Sequence, residues 1–171
     1  MKNIVLTGFM GSGKSSVGKR IAKRLGMKVV DTDDLIEERM CMSINDIFAE
    51  HGEPYFREVE KNVVREVSDL DNRVIVTGGG VVLDKENIRS LGVKGVIVYL
   101  HVTPEEAYER VRHRTHRPLL NVDDPLGKIR ELLEYREPFY ADNDVEVNTT
   151  GMGVSEVADE VLMRVEPMIS G

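Results

Sequence analysis

The stretch Gly8-Phe9-Met10-Gly11-Ser12-Gly13-Lys14-Ser15 constrains this chain more than any other feature of its 171 residues. It matches the pattern G-x-x-x-x-G-K-[S/T] and lies between an apolar run, Asn3 to Leu6, and an amphipathic stretch, Lys14 to Leu25. A strand that ends in glycines and opens directly into a helix is the context in which this pattern cradles polyphosphate. The glycines let the backbone wrap tightly, so that several N–H groups face one anion, and the helix adds its positive end. Lys14 is placed to neutralise the β and γ phosphates of a nucleoside triphosphate, and the Ser15 hydroxyl to ligate the Mg2+ that bridges them. Gly11, Ser12, Gly13 and Ser16 complete the cradle. The loop does not say what receives the phosphate, because hydrolytic switches, motors and small-molecule kinases share it.

Beyond the loop, short Val/Ile-rich runs alternate with longer helical patterns, the habit of βαβ units around a parallel sheet, so the fold class is α/β. The strands are expected at Asn3 to Leu6, Lys28 to Asp31, Val74 to Thr77, Gly95 to Leu100 and Val145 to Asn148. Their near-continuous apolar character suits strands covered on both faces. Val17, Ile21, Ala22 and Leu25 form one stripe of the first helix, which Gly26 ends as a C-cap. Ser43 with Asp46 resembles a capping box opening a helix from Ile44 to His51, and Phe56, Val59, Val63 and Val67 mark another between Glu53 and Leu70. Thr103-Pro104-Glu105-Glu106 combines a Thr cap, a Pro at the first helical position and a Glu placed for a capping box. A last helix is expected from Pro125 to about Arg136. No repeat or linker divides the chain, so residues 1–171 read as a single domain.

A net charge of −7 argues against a nucleic-acid or anionic-membrane partner, since either draws on summed positive charge. An anionic ligand then needs a local, positively lined cleft. The single cysteine, Cys41, cannot form an internal disulfide, and one thiol beside eight methionines suits a reducing compartment, with cytoplasm as the default. Cys41 itself is expected as a packing residue. The N-terminal residues lack the features of a signal peptide, and no run approaches the roughly 20 apolar residues of a membrane span.

The second strand ends in Asp31-Thr32-Asp33-Asp34, and the carboxyl ends of strands in an open parallel sheet border the ligand crevice. Carboxylates there could cap a helix, or hold Mg2+ and orient an attacking hydroxyl. The third strand ends in Thr77-Gly78-Gly79-Gly80, where bare backbone N–H groups are open to a ligand unless the glycines form a simple loop. Arg57 and Arg136 are single arginines bordered by aromatic residues, and each alone reads as a surface charge. From Arg110 to Arg117 the chain is strongly basic; a mobile loop over about 112–124 could close over phosphates and exclude water from the reaction. His113 and His116 in that loop read as solvated, and His51 and His101 have no constellation around them.

Taken together, the cradle, Asp31-Thr32-Asp33, Ser43-Ile44 with Ile47-Phe48, Gly52-Glu53 with Phe56-Arg57, Gly78-Gly79-Gly80, Arg117-Pro118-Leu119-Leu120 and Arg136 to Tyr140 resemble the shikimate kinase family. The resemblance spans nearly the whole chain in order and spacing. It implies MgATP-dependent phosphorylation of the 3-hydroxyl of shikimate, a step toward chorismate and the aromatic amino acids. It also implies a three-layer α/β/α fold, a five-stranded parallel sheet in the order 2-3-1-4-5, a lid and a helical substrate-binding region at about 33–63. By this resemblance Asp33 binds substrate hydroxyls and serves as base or orienter, and Asp31 joins Ser15 at the metal. Arg57 and Arg136 grip the substrate carboxylate, Gly78, Gly79 and Gly80 line the acceptor site, and Arg110 and Arg117 serve the nucleotide, Arg117 from the lid. A monomer is expected, with ATP and shikimate as its only partners. Relatives commonly carry Gly where this chain has Cys41, a change that bears on a turn, and Thr149 to Gly153 lies near the adenine without an evident contact residue. A gluconate or nucleoside monophosphate kinase would share the cradle without the triple glycine, Arg57 and Arg136. A guanine-nucleotide switch would carry an Asn-Lys-x-Asp sequence, which is missing here.

Overall fold

A computed structural model describes residues 1–113 and 121–171. The five apolar runs become β1 (Asn3–Thr7), β2 (Lys28–Asp31), β3 (Arg73–Val76), β4 (Gly95–His101) and β5 (Val145–Asn148). They form one parallel sheet in the order β2-β3-β1-β4-β5, as expected. The central register sets Val5 beside Ile75 of β3 and Ile97 of β4.

Successive strand residues point to opposite faces, so the central strands β1, β3 and β4 need runs without polar alternation. The edge strands depart from the expectation: β5 alternates buried Val145 and Val147 with exposed Glu146 and Asn148, and β2 is only partly covered. Ile4 and Leu6 face a core built with Val17 and Ile21 of α1 (Lys14–Leu25) and Val157 and Val161 of α8 (Val154–Ile169). Val5 faces the other way, onto Val63, Val64 and Val67 of α4 (Glu53–Ser68) and Leu91 of α5 (Lys85–Lys94). Helices on both faces make three layers. A smaller third cluster joins α6 (Pro104–Val111) and α7 (Pro125–Tyr140) to the carboxyl end of β4 through Phe9, Tyr99, Ile129, Leu133 and Tyr140.

Three helices go beyond the sequence expectation: α2 (Thr32–Met40), α5 and α8. In α2 only Thr32 and Ile36 are buried, so its apolar stripe is too thin to read as periodicity. Three strands shift by one residue at one end or both, and two helix bounds also shift. The helix expected to reach Leu70 ends at Ser68, and α7 continues past Arg136 to Tyr140 although Pro138 lies in its last turn. Full burial of the Tyr140 side chain anchors that turn against the proline's missing N–H.

The Ser43 and Thr103 side-chain caps are borne out, but the Glu106 half of the Thr103 capping box is not: the Thr103 N–H donates to Thr150 Oγ1. The Ser43 hydroxyl accepts from the Asp46 N–H at 3.1 Å at the start of α3 (Ile44–His51), and Gly26 closes α1 in the left-handed region at φ 66°. Cys41 corrects an expectation: it is exposed, and it ends α2 with φ 53°, a conformation that costs any residue with a Cβ. The substrate-binding region expected at 33–63 corresponds to α2, α3 and the first part of α4, inserted between β2 and β3. The lid expected at 112–124 falls mostly on residues 114–120, outside the described residues, as do Arg117 and His116. Among the described residues no helix is long and apolar enough to cross a membrane.

Candidate active site

The cradle follows β1 and runs into α1. Gly11 and Gly13 hold φ 78° and 90°, which turn the backbone so that its N–H groups line one concavity. A Cβ on Gly11 would also come within 2.9 Å of the Ala107 carbonyl oxygen, so α6 is packed directly against the loop. The Lys14 ammonium reaches back across the concavity and donates to the carbonyls of Gly8 at 2.5 Å and Phe9 at 3.0 Å. Ser12 is buried and its Oγ has no partner, while Ser15 and Ser16 are exposed on the first turn of α1.

Beside the cradle, β2 ends at Asp31, whose Oδ1 caps α2 by accepting from the N–H groups of Asp33 at 2.9 Å and Asp34 at 3.4 Å. The capping alternative is therefore part of the answer. Burial raises the Asp31 carboxyl above its ordinary range, and repulsion from Asp34 adds to it. Asp33 is pushed further, to about 6, first by burial and then by the Asp31 charge, with Lys14 and Arg57 pulling the other way. Its Oδ1 is buried without a hydrogen-bond partner. A buried carboxylate oxygen left bare is costly, so this atom awaits a donor.

The three glycines after β3 are the meeting point of the predicted residues. A Cβ on Gly78 would lie 2.6 Å from Asp33 Oδ1, one on Gly79 3.2 Å from Arg136 Nη1, and one on Gly80 2.6 Å from Arg57 Nη1. Each glycine thus leaves room for one charged side chain, and residues distant in sequence converge on three consecutive backbone units. The Arg57 guanidinium lies over the Phe56 ring and donates to Glu60 Oε1 at 2.8 Å. Arg136 lies over the Phe9 ring of the cradle itself, 5.7 Å from its centroid. A cleft of about 240 Å³ opens at Arg57, Glu60 and Gly80, smaller than the ~300–1,000 Å³ of sites for drug-sized ligands and suited to a small acceptor.

A family model described as shikimate kinase matches residues 10–166. The chain belongs to the shikimate kinase family. It is 50% identical to the shikimate kinase of Caldanaerobacter subterraneus subsp. tengcongensis over 95% of each chain. It is 43% identical to that of Thermodesulfovibrio yellowstonii over 100% of this chain and 99% of the other. Among solved structures it is similar to the shikimate kinase from Acinetobacter baumannii in complex with shikimate, with a TM-score of 0.93 and 32% identity, covering 100% of this chain and 96% of that one.

Two residues of this shikimate kinase site escaped the sequence reading. Glu60 is 1% exposed, pairs with Arg57 and leaves Oε2 unpartnered; burial raises its carboxyl while Arg57 holds it down. Its i,i+3 spacing from Arg57 was visible, but a Glu in an amphipathic helix reads as solvated. Tyr140 donates its hydroxyl to the Gly79 carbonyl at 2.6 Å, bonds to Arg136, and stacks on Tyr99 with centroids 4.8 Å apart. Burial lifts the Tyr140 phenol to about 12, so it remains a donor throughout the working pH range.

Arg110, expected to serve the nucleotide, donates to the Gly11 carbonyl at 2.9 Å, the Thr149 carbonyl at 2.9 Å and the Thr149 hydroxyl at 3.2 Å. The Mg2+ expected in a shikimate kinase would meet hard oxygen donors here, the Asp31 carboxylate and the Ser15 hydroxyl, next to the phosphate cradle. Crowding of Asp31 against Asp34 is charge that a cation would relieve. Among the described residues no group of three or more His, Cys, Asp or Glu could enclose a metal.

Proposed function

We propose that this chain transfers the γ-phosphoryl group of ATP to the 3-hydroxyl of shikimate, forming shikimate 3-phosphate for aromatic amino acid biosynthesis in the cytoplasm. The observation that carries the reading is the convergence of Asp33, Arg136 and Arg57 on Gly78, Gly79 and Gly80 beside the cradle.

Lys14 and the cradle N–H groups hold the phosphates. Ser15 and Asp31 would hold Mg2+, which when bound would supply positive charge to neutralise the phosphates. Arg57 and Arg136 receive the acceptor's carboxylate, because a guanidinium offers two parallel donors to two oxygens. Glu60 and Tyr140 fix the direction of those two guanidinium groups. The bare Oδ1 of Asp33 accepts the acceptor hydroxyl's proton, or its hydrogen bond, and turns that oxygen toward the phosphorus. Gly79 offers its backbone N–H to the acceptor, and Arg117 steadies phosphate charge from the lid.

A coupled assay offering shikimate, gluconate and AMP separately tests the reading. ADP release is expected with shikimate alone; release with gluconate or AMP and none with shikimate overturns it.

A further inference from the structure

We propose that Glu106 is a positioning residue for the nucleoside end of ATP, fixing Arg110 and the loop over 149–153 in the geometry the nucleotide meets. The inference rests on the reading above that the cradle holds the nucleotide's phosphates.

The sheet order supplies direction. β1, which carries the cradle, lies between β3 and β4. The acceptor side chains gather on the glycines after β3, so the rest of a nucleotide anchored in the cradle extends over the ends of β4 and β5. Facing that side are Arg110 of α6 and the loop between β5 and α8. Arg110 already bridges the two by bonding Gly11 of the cradle and Thr149 of the loop.

Glu106 holds this bridge from beneath. Its Oε1 accepts from Arg110 Nη2 at 2.7 Å, and its two oxygens accept from the Gly151 N–H at 3.1 and 2.9 Å. The sequence pattern assigns this carboxylate to the N–H of Thr103 as half of a capping box. In the structure the Thr103 side chain caps the helix as expected, but its N–H donates to Thr150 Oγ1 at 3.4 Å, and the Glu106 carboxylate is committed to Arg110 and Gly151. The tie is therefore a second use of a cap residue. The Glu106 side chain is one-quarter exposed, whereas the packing side of α6 is Ala107 and Val111, both 0% exposed. Removing the carboxylate takes from Arg110 its one ion-pair partner among the described residues, leaving the bonds to Gly11 and Thr149, and takes from the Gly151 N–H its acceptor, without opening the core.

The test compares Glu106→Ala and Glu106→Gln in the full chain, measuring ADP affinity by calorimetry, KM for ATP and for shikimate, kcat and the thermal midpoint. Glu106→Ala should weaken ADP binding and raise KM for ATP about tenfold, with KM for shikimate and kcat within about twofold. Glu106→Gln keeps an acceptor oxygen for both donors but loses the charge, so it should fall between the two, about threefold weaker than the parent. Unchanged ADP affinity in Glu106→Ala overturns the proposal, as does a KM for shikimate rising in step with that for ATP. Should the alanine variant fail to fold, unchanged ADP affinity in Glu106→Gln overturns it instead. ADP binding needs no acceptor, so loss of ADP affinity in a protein that ignores shikimate would sink the proposed reaction and leave this inference standing.

Discussion

Asp33 presses its carboxylate against Gly78 so closely that a single methyl group on the glycine would come within 2.6 Å of Oδ1. The contact buries that oxygen without a donor and, with the nearby Asp31 charge, raises the carboxyl to about 6 from an ordinary 3.8. A site that keeps a carboxylate so poorly solvated gives up stability for function.

The sign of that trade can be measured. A carboxyl whose folded pKa lies above its unfolded value favours folding while protonated, and loses that advantage as pH rises through about 6. Asp33→Asn should therefore lose most of kcat while still binding ATP, yet stabilise the ligand-free protein at pH 7.5 by up to about 3 kcal/mol. The gain should shrink through the window from pH 6 to 4 and vanish below it. Urea unfolding at several pH values, beside steady-state kinetics, checks both halves; retained turnover would remove Asp33 from its proposed role.

The same group predicts the acid limb of activity. Protonated Asp33 cannot take up the acceptor hydroxyl's proton, so kcat/KM for shikimate should rise about tenfold per pH unit up to about pH 6 and then level off. A profile flat down to pH 5 would contradict this.

At Gly80 a methyl group would strike the Arg57 guanidinium, 2.6 Å from Nη1 and 2.7 Å from Cζ, but the far end of that side chain can move. Gly80→Ala should leave the thermal midpoint nearly unchanged and raise KM for shikimate about tenfold, with KM for ATP unaffected. Equal effects on both substrates would argue for a general disturbance of the crevice.

Arg136→Ala removes the proposed carboxylate contact, one made in the ground and transition states alike, so it should act mainly on KM for shikimate, by about 10- to 100-fold. Arg136→Lys should recover only part, because an ammonium cannot fork between two oxygens. An unchanged KM would show that Arg136 does not hold the acceptor.

Cys41 occupies a left-handed helix terminus at φ 53°. Cys41→Gly should stabilise the protein by about 1 kcal/mol, a rise in midpoint of about 2–4 °C, without altering activity. A fall in midpoint would mean that the Cys41 side chain contributes more than its backbone costs.

What the chain discloses by itself is whatever depends on neighbours in sequence. The cradle, the five apolar runs, the Ser43 and Thr103 caps and the Gly26 stop are local patterns, since strand burial, helix capping and tight turns are settled within a few residues. Asp33, Arg57, Arg136 and the triple glycine were also legible, but their roles came from the set that resembled a family; each arginine alone read as a surface charge, and Asp33 and the glycines each left a cap or loop reading open beside a ligand role.

The tertiary structure decided where charged and polar side chains find partners. Whether Glu60 is solvated or buried against Arg57, whether Glu106 closes its own helix cap or reaches Gly151, and whether Tyr140 extends α7 past a proline all depend on elements brought together from far along the chain. A polar group's free energy is set by the donor or charge that packing places beside it, and local sequence carries no record of that neighbour.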